Sequence, residues 1–328
     1  MLRQKTLLTI IFLGLCIRLY TLFNSLDNPN FSILQDDYIG YSLAFKEGLL
    51  NAPDFIDSRF FPWYPLLMLG LSSLFSLPLL FSGVLISFFS SILSVFLFWN
   101  ITKNKLSALL FSLFPPVWFV SSIKIATEPL TVLMLLSSLY LFMKKRFFLA
   151  GLILGISTGV RLISVCLIAS FIILSFRSVK NKLLPLILGF LSTLSILIIY
   201  NKIIFDNIFH QILIYPKIGG ASGSSIGLFQ LIQDIPRSLD WHQYRIFLSG
   251  SFYIIIFILA ILILLKYKNK KYIFKISFYW LIFSLAFILI YGPSPLLEEF
   301  GRFSIPVMPG IIIGLTVPIL LFEKKNAS

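Results

Sequence analysis

Two adjacent carboxylates, Asp36 and Asp37, lie in the segment Gln35-Asp36-Asp37-Tyr38-Ile39-Gly40-Tyr41, shortly after the first long apolar stretch of the chain. A carboxylate beside a hydroxyl group can accept the proton as the oxygen attacks, and such general-base help contributes about 100- to 10,000-fold in rate. The pair therefore predicts proton chemistry at the end of an apolar segment. The alternative is that two acids after such a segment belong to a solvated loop.

Arg161 is a single cation inside the apolar stretch 147–176. An unpaired charge deep in a bilayer costs at least about 2.5 kcal/mol, so this side chain needs a partner. A guanidinium can donate two bonds to phosphate oxygens, and cations stabilise a leaving phosphate as its charge rises. Arg161 is thus a candidate phosphate-binding residue, and a carbonyl at a helix break or an outer carboxylate is the structural alternative.

The composition places these residues in a membrane protein. The chain has 328 residues, of which 58% are hydrophobic and 12% are charged, and this is more apolar material than one soluble core buries. The formal net charge of +14 comes from basic residues in short links between apolar runs. Because there is no basic domain, the charge indicates membrane topology and not a nucleic-acid partner.

The apolar runs predict an all-α polytopic membrane protein in a single domain, residues 1–328, with about eight full spans. The segment 147–176 is an exception, because basic residues lie at both of its ends. It predicts a re-entrant hairpin of two half-spanning helices broken around Thr158-Gly159-Val160-Arg161. The predicted full spans are 7–24, 79–99, 106–122, 128–143, 183–204, 250–266, 273–292 and 305–322.

The basic links determine the predicted orientation, since they cluster on the cytoplasmic side of membrane proteins. With both termini cytoplasmic, all of the basic clusters fall inside. Every Asp and Glu except Glu323 then falls outside. Two long segments, a first outer loop at 25–78 and a second at 205–249, face the same outer side and are the expected working parts.

Five motifs in the order of the chain support a family resemblance. Their order resembles that of the GT-C membrane glycosyltransferases, in the branch that uses polyprenyl- or dolichyl-phosphate sugars. This branch includes protein O-mannosyltransferases, lipid A aminoarabinose transferase and the mannosyltransferases of GPI-anchor synthesis. The motifs are Asp36-Asp37 with Tyr41, Phe60-Phe61-Pro62-Trp63-Tyr64-Pro65, Thr127-Glu128-Pro129-Leu130, Gly155-Ile156-Ser157-Thr158-Gly159-Val160-Arg161, and Arg302-Phe303 before Pro306.

The resemblance implies a GT-C-like helical bundle and an inverting reaction. An acceptor hydroxyl attacks the anomeric carbon of a mannose-like hexose and displaces a polyprenyl phosphate on the extracytoplasmic side. Asp36 or Asp37 is the catalytic base, and the register is open because the family pair is Asp-Glu. The chain departs from the family pattern in its short length, and no soluble C-terminal domain is expected. Candidates for the donor phosphate are Arg161, Arg302 and Arg59, and candidates near the substrates are Tyr41, Glu128, Lys124 and His242.

Several of these candidates also have ordinary explanations. Arg302 could be an interfacial anchor paired with Glu298, and Arg59 and Lys124 are cations of a kind found on any membrane surface. A lone histidine such as His242 is more often a loop residue than a ligand. Glu128 also has a structural explanation. Thr127 is a plausible N-cap, and Glu128 would interact favourably with the dipole of the helix that follows.

The resemblance leaves the other partners open. No cofactor is certain. Asp36, Asp37 and Asp57 could hold a divalent metal, as in some relatives, but the spacing establishes no metal site. The expected partners are the lipid bilayer, the polyprenyl-phosphate-sugar donor and a hydroxyl acceptor on a glycan, a glycolipid or a protein. The expected location is the plasma membrane.

Two other functions fit the same pattern. A transporter or flippase for a lipid-linked sugar would also be a polytopic bundle, but such proteins often contain two related halves, and no internal repeat is evident here. A glycan polymerase or ligase would use diphosphate-linked oligosaccharide. It would depend on Arg237, His242 or Arg245 more than on the acidic pair.

Overall fold

The computed structural model describes residues 2–26, 36–54, 57–113, 116–176, 179–218, 241–291 and 304–325, and these ranges contain helices and no strand. The predicted all-α class is therefore confirmed. The α-helices are α1 Leu2–Leu26, α2 Asp36–Glu47, α3 Trp63–Phe75, α4 Leu79–Thr102, α5 Lys105–Leu113, α6 Pro116–Ser122, α7 Thr127–Met143, α8 Phe147–Thr158, α9 Val165–Ser175, α10 Leu184–Phe205, α11 His210–Ile218, α12 Trp241–Tyr267, α13 Tyr272–Tyr291 and α14 Met308–Lys325.

The apolar helices identify a membrane protein. Within the described ranges, three helical segments are long and apolar enough to cross a bilayer, namely Leu79–Thr102, Lys180–Phe205 and Tyr272–Ile290. The other apolar helices are 10 to 17 residues long over their described parts. The eight predicted crossings, the orientation of the termini and the choice of membrane stay predictions.

The observed helices differ from the prediction in one predicted span and in the first outer loop. The predicted span 106–122 contains two helices, α5 and α6, and α6 begins at Pro116, a residue suited to the first position of a helix. The first outer loop contains the helices α2 and α3, so it is largely folded over its described residues.

A broken helix lies where the sequence predicted one. The helix α8 ends at Thr158, Arg161 is extended with φ −154° and ψ 125°, and a short 3-10 turn, Leu162–Ser164, leads into α9. With 12 and 11 residues, α8 and α9 are each about 17–18 Å long, well short of a hydrocarbon core of about 30 Å. The re-entrant placement of this pair in the membrane stays a prediction.

Small residues hold the broken helix against α10. A Cβ added to Gly151 would lie 2.0 Å from the carbonyl oxygen of Leu186, and one added to Gly155 would lie 2.0 Å from the Thr193 hydroxyl oxygen. That hydroxyl donates a hydrogen bond to the Leu152 carbonyl at 3.1 Å. Glycines four residues apart let membrane helices approach this closely, so the spacing fixes α8 and the break that follows it.

The helix α3 is anchored to the start of α4 and α7 through one tyrosine. The Tyr64 hydroxyl lies 3.0 Å from both the Gly83 carbonyl oxygen and the Ser87 hydroxyl, and it accepts a bond from the Ala126 amide at 3.1 Å. Ser42 in α2 donates to the Pro65 carbonyl at 3.2 Å. These buried bonds place α2 and α3 over the beginning of α7, beside the broken helix.

Candidate functional site

An ion pair in the first outer loop joins Asp37 to Arg59. Asp37 lies in the first turn of α2, and its Oδ2 is 2.7 Å from Nη2 of Arg59. The guanidinium carbon of Arg59 lies 4.6 Å from the ring centre of Phe60. The side chains of Asp37 and Arg59 are 35% and 24% exposed, so the pair is open to solvent or substrate. Two predicted site residues from separate motifs therefore meet here.

A second ion pair joins Arg161 to Glu128 at the helix break. Nη1 of Arg161 contacts Oε1 of Glu128, and the two side chains are 13% and 1% exposed. Glu128 lies in the first turn of α7, and Arg161 is the extended residue between α8 and the 3-10 turn. A carboxylate and a guanidinium can both be buried when their charges are paired. Glu128 is therefore the partner that Arg161 was expected to need.

Thr127 connects this buried pair to α2. Its hydroxyl oxygen is 3.4 Å from Nη1 of Arg161 and 3.3 Å from the Tyr38 hydroxyl. The expectation that Thr127 caps α7 is wrong, because the N-cap is Ala126, in an extended conformation and with no side-chain capping bond. The Thr127 side chain turns instead toward the cation and the tyrosine.

Tyr38 and Thr127 are site residues that sequence reasoning did not assign. Tyr38 is buried, with its ring centre 4.5 Å from that of Phe60 and 5.2 Å from that of Tyr64. It follows Asp37 directly, so one turn of α2 supplies a member of the Asp37–Arg59 pair and a hydroxyl that contacts Thr127 beside Arg161. Proximity to the acidic motif was the available signal for Tyr38. The sequence singled out Thr127 as part of a motif and as a possible N-cap, but only packing shows its contact with Arg161.

Gly159 brings the aromatic motif against the helix break. The Trp63 amide donates a bond to the Gly159 carbonyl oxygen at 3.3 Å. A Cβ added to Gly159 would lie 1.8 Å from Nε1 of Trp63. That indole nitrogen is buried and has no acceptor among the described residues. Glycine is required here because the indole occupies the space of a side chain.

The remaining predicted residues lie in other segments of the chain. The Tyr41 hydroxyl lies 2.8 Å from that of Tyr200 in α10, and the Tyr41 ring stacks on Phe45. Lys124 lies partly buried in the turn before α7. Residue 302, the side chain of His242 in the first turn of α12, and the side chain of Asp36 at the start of α2 lie outside what the structure describes.

A cavity of about 190 Å³ adjoins the helix break. Thr158 and Leu162, on either side of Arg161 along the chain, line it together with residues of α10 and α11. Its wall is almost entirely apolar apart from Asn201, whose Nδ2 donates to the Ile208 carbonyl at 3.1 Å and whose Oδ1 has no described partner. The wall of this cavity would accept an apolar chain.

Arg18 is a buried cation that was not among the candidates identified from the sequence. It lies in α1 and is 1% exposed. Its Nε donates to the Ser91 hydroxyl and its Nη1 to the Gly14 carbonyl, each at 3.0 Å. The available signal was an arginine within the apolar run 7–24, where charge is costly. Ser91 lies one helical turn after Ser87, so Arg18 is adjacent to the polar contacts around Tyr64.

Metal binding finds no geometric support in the described ranges. They contain no group of three or more His, Cys, Asp or Glu side chains able to hold an ion. The side chains of Asp36 and Asp57, two of the three possible ligands, lie outside them. The possible divalent metal therefore stays a possibility from the resemblance alone.

The fold and the site define a helical membrane protein with a buried ionic cluster, Tyr38, Thr127, Glu128 and Arg161, at a broken helix. No protein-family model, no curated protein and no solved structure matches this chain.

Proposed function

We propose that the protein is an inverting glycosyltransferase of the plasma membrane. It moves a mannose-like hexose from a polyprenyl-phosphate donor to a hydroxyl acceptor on the extracytoplasmic side. The observation that carries the proposal is Arg161, held by Glu128 at a helix break beside an apolar cavity. A lipid phosphate needs these two surroundings together, a cation for its charge and an apolar space for its chain.

Arg161 is the proposed donor-phosphate ligand. A broken helix exposes backbone polar groups and gives a charged ligand access to a depth where water is scarce. Glu128 keeps the guanidinium paired and oriented when no donor is bound, and the same guanidinium can donate to phosphate oxygens when one arrives. Charge rises on that phosphate as the glycosidic bond breaks, so the cation contributes more in the transition state than in the ground state.

Asp37 or Asp36 is the proposed base. The bond between Asp37 and Arg59 at 2.7 Å orients the Asp37 carboxylate, and Tyr38 in the same turn of α2 connects through Thr127 to Arg161. A base on α2 and a phosphate ligand at the break would act on opposite sides of the sugar, as inversion requires. In this arrangement Arg59 positions the carboxylate, which is a different role from the phosphate contact expected from the resemblance.

The test is transfer from radiolabelled polyprenyl-phosphate hexose in membranes with matched protein levels. We expect Asp36→Asn or Asp37→Asn to lower transfer about 100-fold or more, because general-base help is lost. Asp54→Asn is the matched control, since Asp54 is an exposed carboxylate in the same outer loop. It should leave transfer unchanged.

Arg161→Met should also lower transfer, whereas Asp54→Asn should not. Transfer that survived both Asp36→Asn and Asp37→Asn would contradict the proposed base. If the wild-type membranes transferred no sugar but moved lipid-linked sugar between leaflets, the transferase proposal would be wrong and the transporter reading correct. Transfer of diphosphate-linked oligosaccharide that depended on His242 or Arg245 would instead establish the polymerase reading.

A further inference from the structure

A second cavity, the inner cavity, lies at the far end of the bundle from the ionic cluster. It has a volume of about 280 Å³. The ionic cluster and its supports contact the beginnings of α4 and α7, whereas this cavity is formed at the ends of those helices. Since α4 has 24 residues, its two ends are about 36 Å apart. The inner cavity is lined by residues from the end of α4, the end of α7, the beginning of α13 and α14.

One lysine lines the inner cavity, and two more directly follow lining residues in the chain. Lys271 lines it, and its Nζ donates to the Leu320 carbonyl at 2.7 Å. Lys103 directly follows the lining residue Thr102, and Lys144 directly follows the lining residue Met143. Both of these lysines are exposed. The predicted topology places this end at the cytoplasmic surface, where Glu323 is the one carboxylate of the chain.

The start of α13 adds to the attraction for an anion. Tyr272 and Ile273 are the first two residues of a 20-residue helix, and both line the inner cavity. The amides of Phe274 and Lys275 donate to the Lys271 carbonyl oxygen, and the helix dipole favours negative charge at this end of α13. Tyr272 is 48% exposed, as is common for aromatic side chains at the membrane interface.

We propose that the inner cavity binds the phosphate-bearing headgroup of an anionic phospholipid from the cytoplasmic leaflet. Lys271 contacts the phosphate, Lys103 and Lys144 supply positive charge at the mouth, and the beginnings of the acyl chains lie against apolar wall residues such as Ile101 and Ile313. Basic pockets between helices at the cytoplasmic surface recognise such headgroups. A soluble phosphate ester shares the phosphate chemistry, but the apolar wall favours a ligand with a chain.

The test is native mass spectrometry of the purified full-length protein in detergent, with added phosphatidylglycerol or with phosphatidylcholine of the same acyl chains. We expect tighter retention of phosphatidylglycerol. Lys271→Gln should reduce that preference about fivefold, the factor that one basic residue contributes at an anionic surface. Lys270→Gln is the matched control, because Lys270 is exposed in the preceding turn and does not line the cavity.

Two further variants separate binding from folding. Lys271→Arg keeps the charge and should keep the lipid preference. Thr102→Phe fills the cavity without changing any charge and should lower retention of phosphatidylglycerol. Each variant is compared after size-exclusion chromatography confirms a single monodisperse species. Equal effects of Lys271→Gln and Lys270→Gln would overturn the proposed site, and so would full retention by Thr102→Phe.

The last arm distinguishes the two sources of phosphate. Glycerol 3-phosphate is added without lipid, and the thermal midpoint of the protein is followed. No shift at concentrations where phosphatidylglycerol is retained supports a lipid ligand. A shift that depended on Lys271 and matched the lipid in affinity would overturn the lipid assignment, because the site would then take the free phosphate ester.

Discussion

At the scale of single residues, the buried contact between Glu128 and Arg161 decides the character of the site. Both side chains lie where an isolated charge is costly, and each makes the other's burial tolerable. Arg18 is a second buried cation, held by Ser91 and by a carbonyl of its own helix. These charged side chains lie within an apolar bundle. Substituting them therefore tests whether the contacts described here stabilise the protein.

Removing one partner of the buried pair should destabilise the protein strongly. Arg161→Met or Glu128→Gln leaves an uncompensated buried group, which costs about 3–5 kcal/mol in comparable pairs. The double variant should recover much of the loss, because no lone charge remains. Thermal unfolding in detergent measures this. Lys202→Gln is the control, since it breaks the exposed pair with Asp206 and should not change the midpoint measurably. Equal losses in the single and double variants would contradict direct pairing.

His210 should make the protein less stable in mild acid. Its ring stacks on Phe205 with centres 3.6 Å apart, and burial lowers its pKa below the ordinary value of 6.5. The unfolded chain therefore binds more protons than the folded chain as pH falls through 6.5, so stability decreases in that direction. Comparing unfolding at pH 7.5 and pH 5.5 measures the effect. His210→Phe should flatten this dependence, and an unchanged pH dependence in that variant would assign the effect to other groups.

At the scale of helices, glycines position the site. Gly151 and Gly155 bring α8 against α10, and Gly159 then lets Trp63 occupy the space beside the break. The end of α8 and the beginning of α3 are thereby held together, which places Arg161 next to the start of α7. The helix break is thus a fixed feature of the packing, with close backbone contacts on both sides.

Gly155→Ala should disturb this packing. The new Cβ would lie 2.0 Å from the Thr193 hydroxyl oxygen and 2.5 Å from the Phe190 carbonyl oxygen, so α8 must move away from α10. We expect a lower thermal midpoint together with reduced sugar transfer. Gly70→Ala is the matched control, because a Cβ there would meet nothing within 4 Å. It should be neutral or slightly stabilising, since alanine favours a helix over glycine by about 0.5–1 kcal/mol. A neutral Gly155→Ala variant would show that α8 and α10 are further apart.

At the scale of the whole molecule, charge is distributed between the two ends of the bundle. The ionic cluster, with Asp37 and Arg59 above it, lies at the beginnings of α4 and α7, and the lysine-rich inner cavity lies at their ends. The predicted orientation makes the first end extracytoplasmic and the second cytoplasmic. The proposed reaction and the proposed lipid site both depend on this orientation.

Cysteine labelling with a membrane-impermeant maleimide tests the orientation. Asn51 lies exposed in the first outer loop, and Asn269 lies exposed in the turn between α12 and α13. Asn51→Cys should be labelled in intact cells, whereas Asn269→Cys should be labelled only after permeabilisation, because the reagent does not cross the bilayer. The unsubstituted chain is the background control, since it carries the buried Cys166 and Cys16, which is exposed on the apolar helix α1. The reverse labelling pattern would show that the topology is the opposite of the predicted one.

The sequence by itself determined the class of protein and much of its local structure. Apolar runs form helices in a membrane because a helix makes all of its backbone hydrogen bonds within one segment. The tendency to form such a helix can therefore be recognised from a short stretch of sequence. The break at Thr158 to Arg161 was visible in the same way, as was the requirement that Arg161 have a partner. The number of crossings was less accessible, because short and interrupted helices carry weak length signals.

Only the tertiary structure decided which polar groups meet. Arg161 lies at the helix break and Glu128 lies in α7, while Tyr38 and Thr127 belong to α2 and α7, so no spacing in the chain relates these residues. Their contacts depend on glycines that let α8 approach α10 and on Tyr64, which holds α3 over α7. The sequence required a partner for a buried charge on energetic grounds, and close packing between distant segments selected that partner.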